Sequence, residues 1–297
     1  MAPGRDTKAG KLFTRLSDLP SLPKVVERIL KLPSDTATTR DFADLIATDQ
    51  GLSAKVLRLV NSAFYSLRTP VSSIRQACSL LGIRTLKSLS LSVSVIQVFK
   101  RRQPGFDPIR FWSHSLAVAT IGRRIAEASR SPLLEDVYIA GLLHDTGIAL
   151  LAQHYPEEFA RLSLPGSEGT PAALALEEEE FGQAHPEVAY HLASQWRLAP
   201  AVALGLRHHH TDAARLPPDI QPEARLLIEL VQYSDLYARA AGHSFSEADR
   251  LDSVRTPPPP AVSGLDAQAM EALCGELDHS IQELRAIHLD FEREKAT

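Results

Sequence analysis

Cysteine is scarce in this 297-residue chain: Cys78 and Cys274 are the only two. That is too few for a disulfide framework and fits a reducing compartment. Long hydrophobic runs are missing as well. No window holds the roughly 18 consecutive apolar residues that a membrane span needs. The opening MAPGRDTKAG is polar, with no apolar stretch behind it to act as a leader. The expectation is a cytoplasmic protein with no membrane attachment. Alternating β-branched runs are few, which disfavours a sheet. What remains is ordinary for a globular protein. With 44% hydrophobic and 23% charged residues, the chain is neither disordered nor collagen-like. Its length suffices for one large or two small domains with a sizeable core.

The net charge of −4 hides an asymmetry. Residues 1–105 hold 17 Lys/Arg against 7 Asp/Glu, and the remainder 15 against 29, so the halves are opposite in sign. Either they face each other or the basic one meets an acidic partner.

Apolar residues recur at helical spacing, as in Val25, Val26, Ile29 and Leu30, and again in Phe42, Leu45 and Ile46. Helix-starting signals agree: Leu22-Pro23, Thr38-Thr39, and Pro186, Pro200 and Pro222, each where a first turn would begin. Residues 88–98, SLSLSVSVIQV, alternate at the period of a strand. Leu86, Leu89, Val93 and Ile96 nevertheless share a helical face, and a lone strand has nothing to pair with, so the segment reads as helix. The pattern breaks at Arg101-Arg102-Gln103-Pro104-Gly105. This divides the chain into a basic helical subdomain (1–105), an acidic helical subdomain (106–243), and a tail (244–297). The tail joins a stiff TPPPPAVSG linker (256–264) to a helix from about Leu265 to Phe291, capped by Ser263. Residues 163–172 read as a loop, and Glu177 to Glu180 as a solvated helix face.

Most of the 11 histidines fall between residues 114 and 210, several on faces that otherwise read as core. His114 points with the stripe of Val118, Ile121 and Ile125, and Asp235 with Leu227 and Val231. A carboxylate on a buried face is costly unless something pairs with it, and a metal would serve. Between them, in GLLHDTG, His144-Asp145 ends an apolar helix, with Gly147 available to stop it in the left-handed conformation. Adjacent ligands diverge by about 100° on a helix, so His144 and Asp145 converge only near a helix end or around a central ion.

The order His114, His144-Asp145, Asp235 resembles the metal-binding pattern of the HD superfamily of phosphohydrolases. His185 and the run His208-His209-His210 resemble the further ligands of its HD-GYP branch. The resemblance implies a metal set of His114, His144, Asp145, His185, His208, His209 and Asp235, with Asp145 bridging two ions and His210 left facing solvent. LSDLPSLPKVVERIL (16–30), FADLIATDQGLSAKVLRLVNSAFYS and ACSLLGIRTLKSLSLSVSV are similar to the HDOD family, the HD-related output domain. That similarity continues through FWSHSLAVA and EEFGQAHPEVAYHLASQW to about residue 240. It implies an all-α fold, an N-terminal helical bundle packed on an HD-like bundle, and a role in bacterial signal transduction through a protein partner. Self-association is left open.

Three departures separate the chain from active HD-GYP enzymes. After His210 comes TDAARLPPD in place of a Gly-Tyr-Pro loop. Ile148 stands where the lysine after HDxG would meet phosphate, and Arg110 where a glutamate would serve a third metal. Imidazole and carboxylate ligands without thiolate suit iron, manganese, zinc or nickel, one or two ions. A pair bridged by Asp145 is suited to phosphoester hydrolysis. The leading expectation is therefore a regulatory protein-interaction module that keeps its metal site, with catalytic residues unassigned. The alternatives are a metal-dependent phosphohydrolase acting on a nucleotide or cyclic dinucleotide, with Arg110, Arg123 and Arg207 as candidate phosphate donors, and a DNA-binding regulator. The last rests on residues 42–60, which resemble a helix-turn-helix carrying Lys55 and Arg58.

Overall fold

The computed structural model describes residues 20–33, 36–62, 65, 67–99, 101–162, 170–245, 266, 268, 269 and 272. The expected linker, most of the final helix with its Ser263 cap, Cys274 and residues 163–169 of the expected loop lie outside them, and Gln268, Ala269 and Ala272 of that helix are helical. Among the described residues every regular element is a helix, and a single antiparallel bridge between Gln103 and Phe106 is the only strand-like pairing. The described residues form two compact units, one of those in Ser21–Val98 with Ala272 and one of Pro20 with those between Phe99 and Ala269.

The first unit contains α1 (Lys24–Lys31), α2 (Thr39–Ile46), α3 (Gln50–Val60) and α4 (Ile74–Val98). Pro23 is the N-cap of α1. Thr38 caps α2 in a reciprocal box with Asp41, which satisfies two of the free N–H groups at the helix start. The turn between α2 and α3 is held by Asp49, which accepts from Leu52 N–H at 2.9 Å, and by Ser53, which donates to the Ile46 carbonyl.

The serine-rich segment of α4 is helical despite its strand-like period. Ser90 and Ser92 donate their hydroxyls to the carbonyls of Leu86 and Ser88, four residues back, at 2.7 and 2.8 Å. A helix buried on all sides can hold serines because its own backbone satisfies them. Leu86 through Ile96 are all buried. By length and mean hydropathy α4 could cross a membrane, which a count of consecutive apolar residues fails to register because the serines interrupt every run. Its apolar window is mostly buried in the protein, as in a core helix, and Gly82 (φ 80°, ψ 160°) kinks it.

The second unit holds α5 (Pro108–Ala128), α6 (Leu134–Leu143), α7 (Thr146–His154), α8 (Pro156–Leu162), α9 (Pro171–Phe181), α10 (His185–Gln195), α11 (Pro200–His208) and α12 (Pro222–Ala240). Pro108, Pro171, Pro186, Pro200 and Pro222 all sit in first turns, where a missing N–H costs nothing. Helix α5 packs on α6 and α12, and α10 packs on α7 and α11. These helices enclose the candidate ligands.

Candidate metal centre

Each candidate ligand is placed by a local device. His114 lies inside α5, and Asp235 inside α12, which packs against it. His144 and Asp145 occupy the joint between α6 and α7. Asp145 there leaves helical geometry (φ −97°, ψ 7°), and this turn lets two adjacent ligands point into one space. Gly147 does not stop a helix in the left-handed conformation, as the sequence suggested; it lies in the first turn of α7. Its necessity is steric. A Cβ there would fall 2.0 Å from the His185 carbonyl oxygen, so only glycine lets α7 approach the start of α10. Gly141 plays the same part between α6 and α5, where a Cβ would meet the Ala119 backbone at 2.9 Å.

His209 and His210 form the turn that ends α11. Gln232 of α12 fixes this turn by donating to the His208 and Thr211 carbonyls at 3.0 and 2.7 Å. That geometry corrects the sequence reading of the histidine run. His208 does not join the other ligands: it is half-buried and pairs with the Thr211 hydroxyl through Nδ1 at 3.2 Å. His210, expected to face solvent, turns inward with a buried Nε2. The chain leaves the helix at His209, so the residue one place later inherits the inward direction.

The ligand atoms fall into two groups. His114, His144 and Asp235 form one, and Asp145, His185, His209 and His210 the other, with the ligand atoms of each within 4.8 Å of one another. Asp145 touches both. Its Oδ2 lies 3.0 Å from His144 Nε2, and its Oδ1 lies 3.4 and 3.3 Å from the Nε2 atoms of His185 and His209.

Hydrogen bonds on the far side of each ring set the tautomers. Nδ1 of His114 contacts the His243 carbonyl at 2.7 Å, that of His144 the Gly141 carbonyl at 2.8 Å, and that of His209 the Leu206 carbonyl at 2.6 Å. Nδ1 of His185 meets the Glu177 carboxylate at 2.8 Å. All four partners only accept, so each Nδ1 donates and each ring turns its Nε2 inward, where it offers a lone pair once an ion takes the place of any proton there. The Nε2 atoms of His114 and His144 approach to 3.3 Å. Asp145 Oδ1 and the Nε2 atoms of His185, His209 and His210 are buried without a hydrogen-bond partner. Left so, four orphans would cost roughly 4–12 kcal/mol, as much as the whole stability of a typical domain, about 5–15 kcal/mol. The arrangement calls for cations, and the residues fit a divalent transition metal: nitrogen and carboxylate donors, closely spaced, with outer hydrogen bonds orienting the rings.

The electrostatics show how strongly the cluster draws positive charge. Burial alone would raise the Asp145 carboxyl, yet His144, His185 and His209 hold it well below the usual carboxylate range. Burial would likewise raise Asp235, but the Arg239 guanidinium and His114 hold it well below that range. Burial would lower the His185 imidazole, whereas Glu177 and Asp145 push it up to about 10. For His210 burial dominates, and with His209 and His185 beside it the ring stays well below its ordinary range.

Glu177 is the residue that sequence reasoning missed. The Glu177–Glu180 run is not a uniform solvated face, because Glu177 is half-buried, accepts from the His185 backbone N–H at 2.7 Å and holds the ring by Nδ1. The chain reverses at Gly182, in the left-handed conformation after α9, and this brings a glutamate eight residues upstream back onto a ligand. The glycine was the available signal.

The sequence pattern of the HDOD domain covers residues 19–212. The chain belongs to the HDOD domain family. This HDOD protein is 31% identical to an HDOD domain protein of unknown function from Geobacter sulfurreducens, with a TM-score of 0.76 over 95% of this chain and 96% of that one. A provisionally assigned phosphohydrolase from Shewanella amazonensis SB2B shares the fold at 22% identity, with a TM-score of 0.70 over 94% and 98% of the two chains. An uncharacterized protein of Treponema pallidum (strain Nichols) is 27% identical over 233 residues, which are 78% of this HDOD protein and 44% of that one. The chain thus spans less than half the length of this curated relative.

Proposed function

We propose that this HDOD protein is a regulatory module that holds divalent transition-metal ions at the centre of its second helical unit and acts through a protein partner. One observation carries the reading: four imidazoles commit Nδ1 to an outer oxygen and converge their Nε2 atoms around Asp145. His144, His114 and Asp235 would hold one ion, His185, His209 and His210 another, with Asp145 between them. Bound there, such ions would cross-link six helices and acidify a coordinated water. The protein's own groups orient the rings and exclude bulk water, since His114, His144, Asp145, His185, His209 and Asp235 are all buried.

The phosphohydrolase reading is supported by the position of Asp145, whose two oxygens serve both ligand groups as a bridging carboxylate would. Substrate handling favours the regulatory reading. Arg123 is paired with Glu135 at 3.4 Å, and Arg207 with Glu187 at 2.8 Å while lying over the Tyr190 ring. A phosphoester could use these cations only in competition with their carboxylate partners, and the candidate ligands themselves are buried.

The test compares chelator-stripped full-length protein with protein resupplied with Mn²⁺ or Zn²⁺. The expected result is a metal-dependent rise in thermal stability, abolished by Asp145→Ala, with no turnover of a phosphodiester or cyclic-dinucleotide panel. Metal-dependent turnover removed by the same substitution would establish the enzyme reading instead, and stability indifferent to metal would refute both.

A further inference from the structure

The two ligand groups differ in one respect that bears on how the centre fills. In the Asp145–His185–His209–His210 group four polar atoms are buried without a hydrogen-bond partner. In the His114–His144–Asp235 group the Nε2 atoms of His114 and His144 face each other at 3.3 Å, and the carboxylate already has a protein cation beside it. Asp235 Oδ1 lies 3.1 Å from His114 Nε2, and the same oxygen accepts a 2.8 Å hydrogen bond from Nε of Arg239, one turn further along α12. The Arg239 side chain is only 10% exposed, so its charge acts on Asp235 with little screening.

A guanidinium keeps its proton at any pH a protein survives. Arg239 therefore gives Asp235 the positive charge that an ion would give, on the oxygen that faces His114. An ion entering this group must displace Arg239 or share Asp235 with it. An ion entering the other group displaces no protein donor and satisfies four stranded atoms at once. We propose that the centre is graded: the Asp145–His185–His209–His210 group takes the first ion tightly, and Arg239 makes the His114–His144–Asp235 group a weaker, exchangeable position. This rests on the metal-holding role proposed above and adds to it a built-in counter-cation. An exchangeable second ion beside a permanent first one is the arrangement a metal-responsive module needs.

The experiment titrates Mn²⁺ into chelator-stripped full-length protein, following free metal with a chromophoric chelator and bound metal by electron paramagnetic resonance. Wild-type protein should bind in two resolved steps, with the spectrum of isolated Mn²⁺ after the first. Arg239→Gln should strengthen the second step about ten- to a hundredfold, the equivalent of losing one charge-assisted hydrogen bond, and leave the first unchanged. Arg239→Lys, which keeps the charge, should keep the second step weak. His210→Ala should weaken the first step selectively. If Arg239→Gln fails to fold, Asp235→Asn decides the matter by losing the second step while keeping the first. Two equal steps in the wild type, or an Arg239→Gln profile that overlays it, overturn the proposal alone. No Mn²⁺ bound at either step overturns the metal-holding reading and this one with it.

Discussion

Replacing Gly147 with alanine should loosen the metal centre without touching a ligand. In an ordinary helical position the change would stabilise, since alanine is favoured over glycine by about 1 kcal/mol. Here the new Cβ would sit 2.0 Å from the His185 carbonyl oxygen, 2.7 Å from its carbonyl carbon and 2.9 Å from its Cα. All three are backbone atoms that cannot rotate away. Ordinary contact begins at 3.4 Å, so α7 and α10 must part by about 1.4 Å. Overpacking that forces a backbone shift costs up to about 3 kcal/mol, and subtracting the propensity gain leaves a net loss of about 2 kcal/mol. For a unit of this size that lowers Tm by about 4–8 °C. The same displacement carries His185 away from Asp145, now 3.4 Å from it, so metal affinity should fall as well. Gly51 in α3 is the control, because a Cβ there meets only Asp49 Oδ1 at 3.4 Å and Gly51→Ala should be neutral or stabilising. Thermal unfolding and metal titration of the two variants side by side make the comparison. A Gly147→Ala protein as stable and as metal-competent as Gly51→Ala would refute the close-approach argument.

Two further substitutions probe the same structure. Glu177→Gln should lower metal affinity about 10–100-fold, the usual effect of removing the outer partner of a ligating histidine. Glu177→Asp should not rescue it, because the shorter side chain cannot reach both the N–H and the ring of His185; unchanged affinity in Glu177→Gln would remove Glu177 from the site. Burial pushes the Cys78 thiol up to about 11, so its reactive thiolate is suppressed throughout the neutral range and emerges only as pH approaches that value. In a Cys274→Ser background, alkylation at pH 8 should be far slower than for the unfolded chain, and labelling at the rate of a free thiol would contradict the buried placement.

Much of the fold was legible because helices announce themselves locally. Capping residues such as Thr38, prolines at first turns and the stripe on α5 each act within a turn or two, and the structure places all of them as the pattern implies. The alternating serines of α4 could mislead, and backbone hydrogen bonding by their hydroxyls explains why the period of 2 was not a strand. The clustering of candidate residues was legible where a charged or imidazole group sat on an apolar face, as His114 and Asp235 do. It was illegible where direction depended on a turn of one residue, which exchanged His208 for His210, or on a chain reversal, which brought Glu177 to His185. Gly147 was recognised as necessary for the wrong reason, because sequence registers a glycine's freedom of φ but not the backbone pressed against it.

The most direct test of the account is the metal content of untagged protein purified without added metal, measured by elemental mass spectrometry as ions per chain. Between one and two transition-metal ions per chain are expected, falling toward zero in a His185→Ala, His209→Ala double variant that remains helical. Protein that stays near zero after anaerobic incubation with iron, manganese and zinc would contradict it, and would mean that protons, not metal ions, neutralise the convergent lone pairs around Asp145.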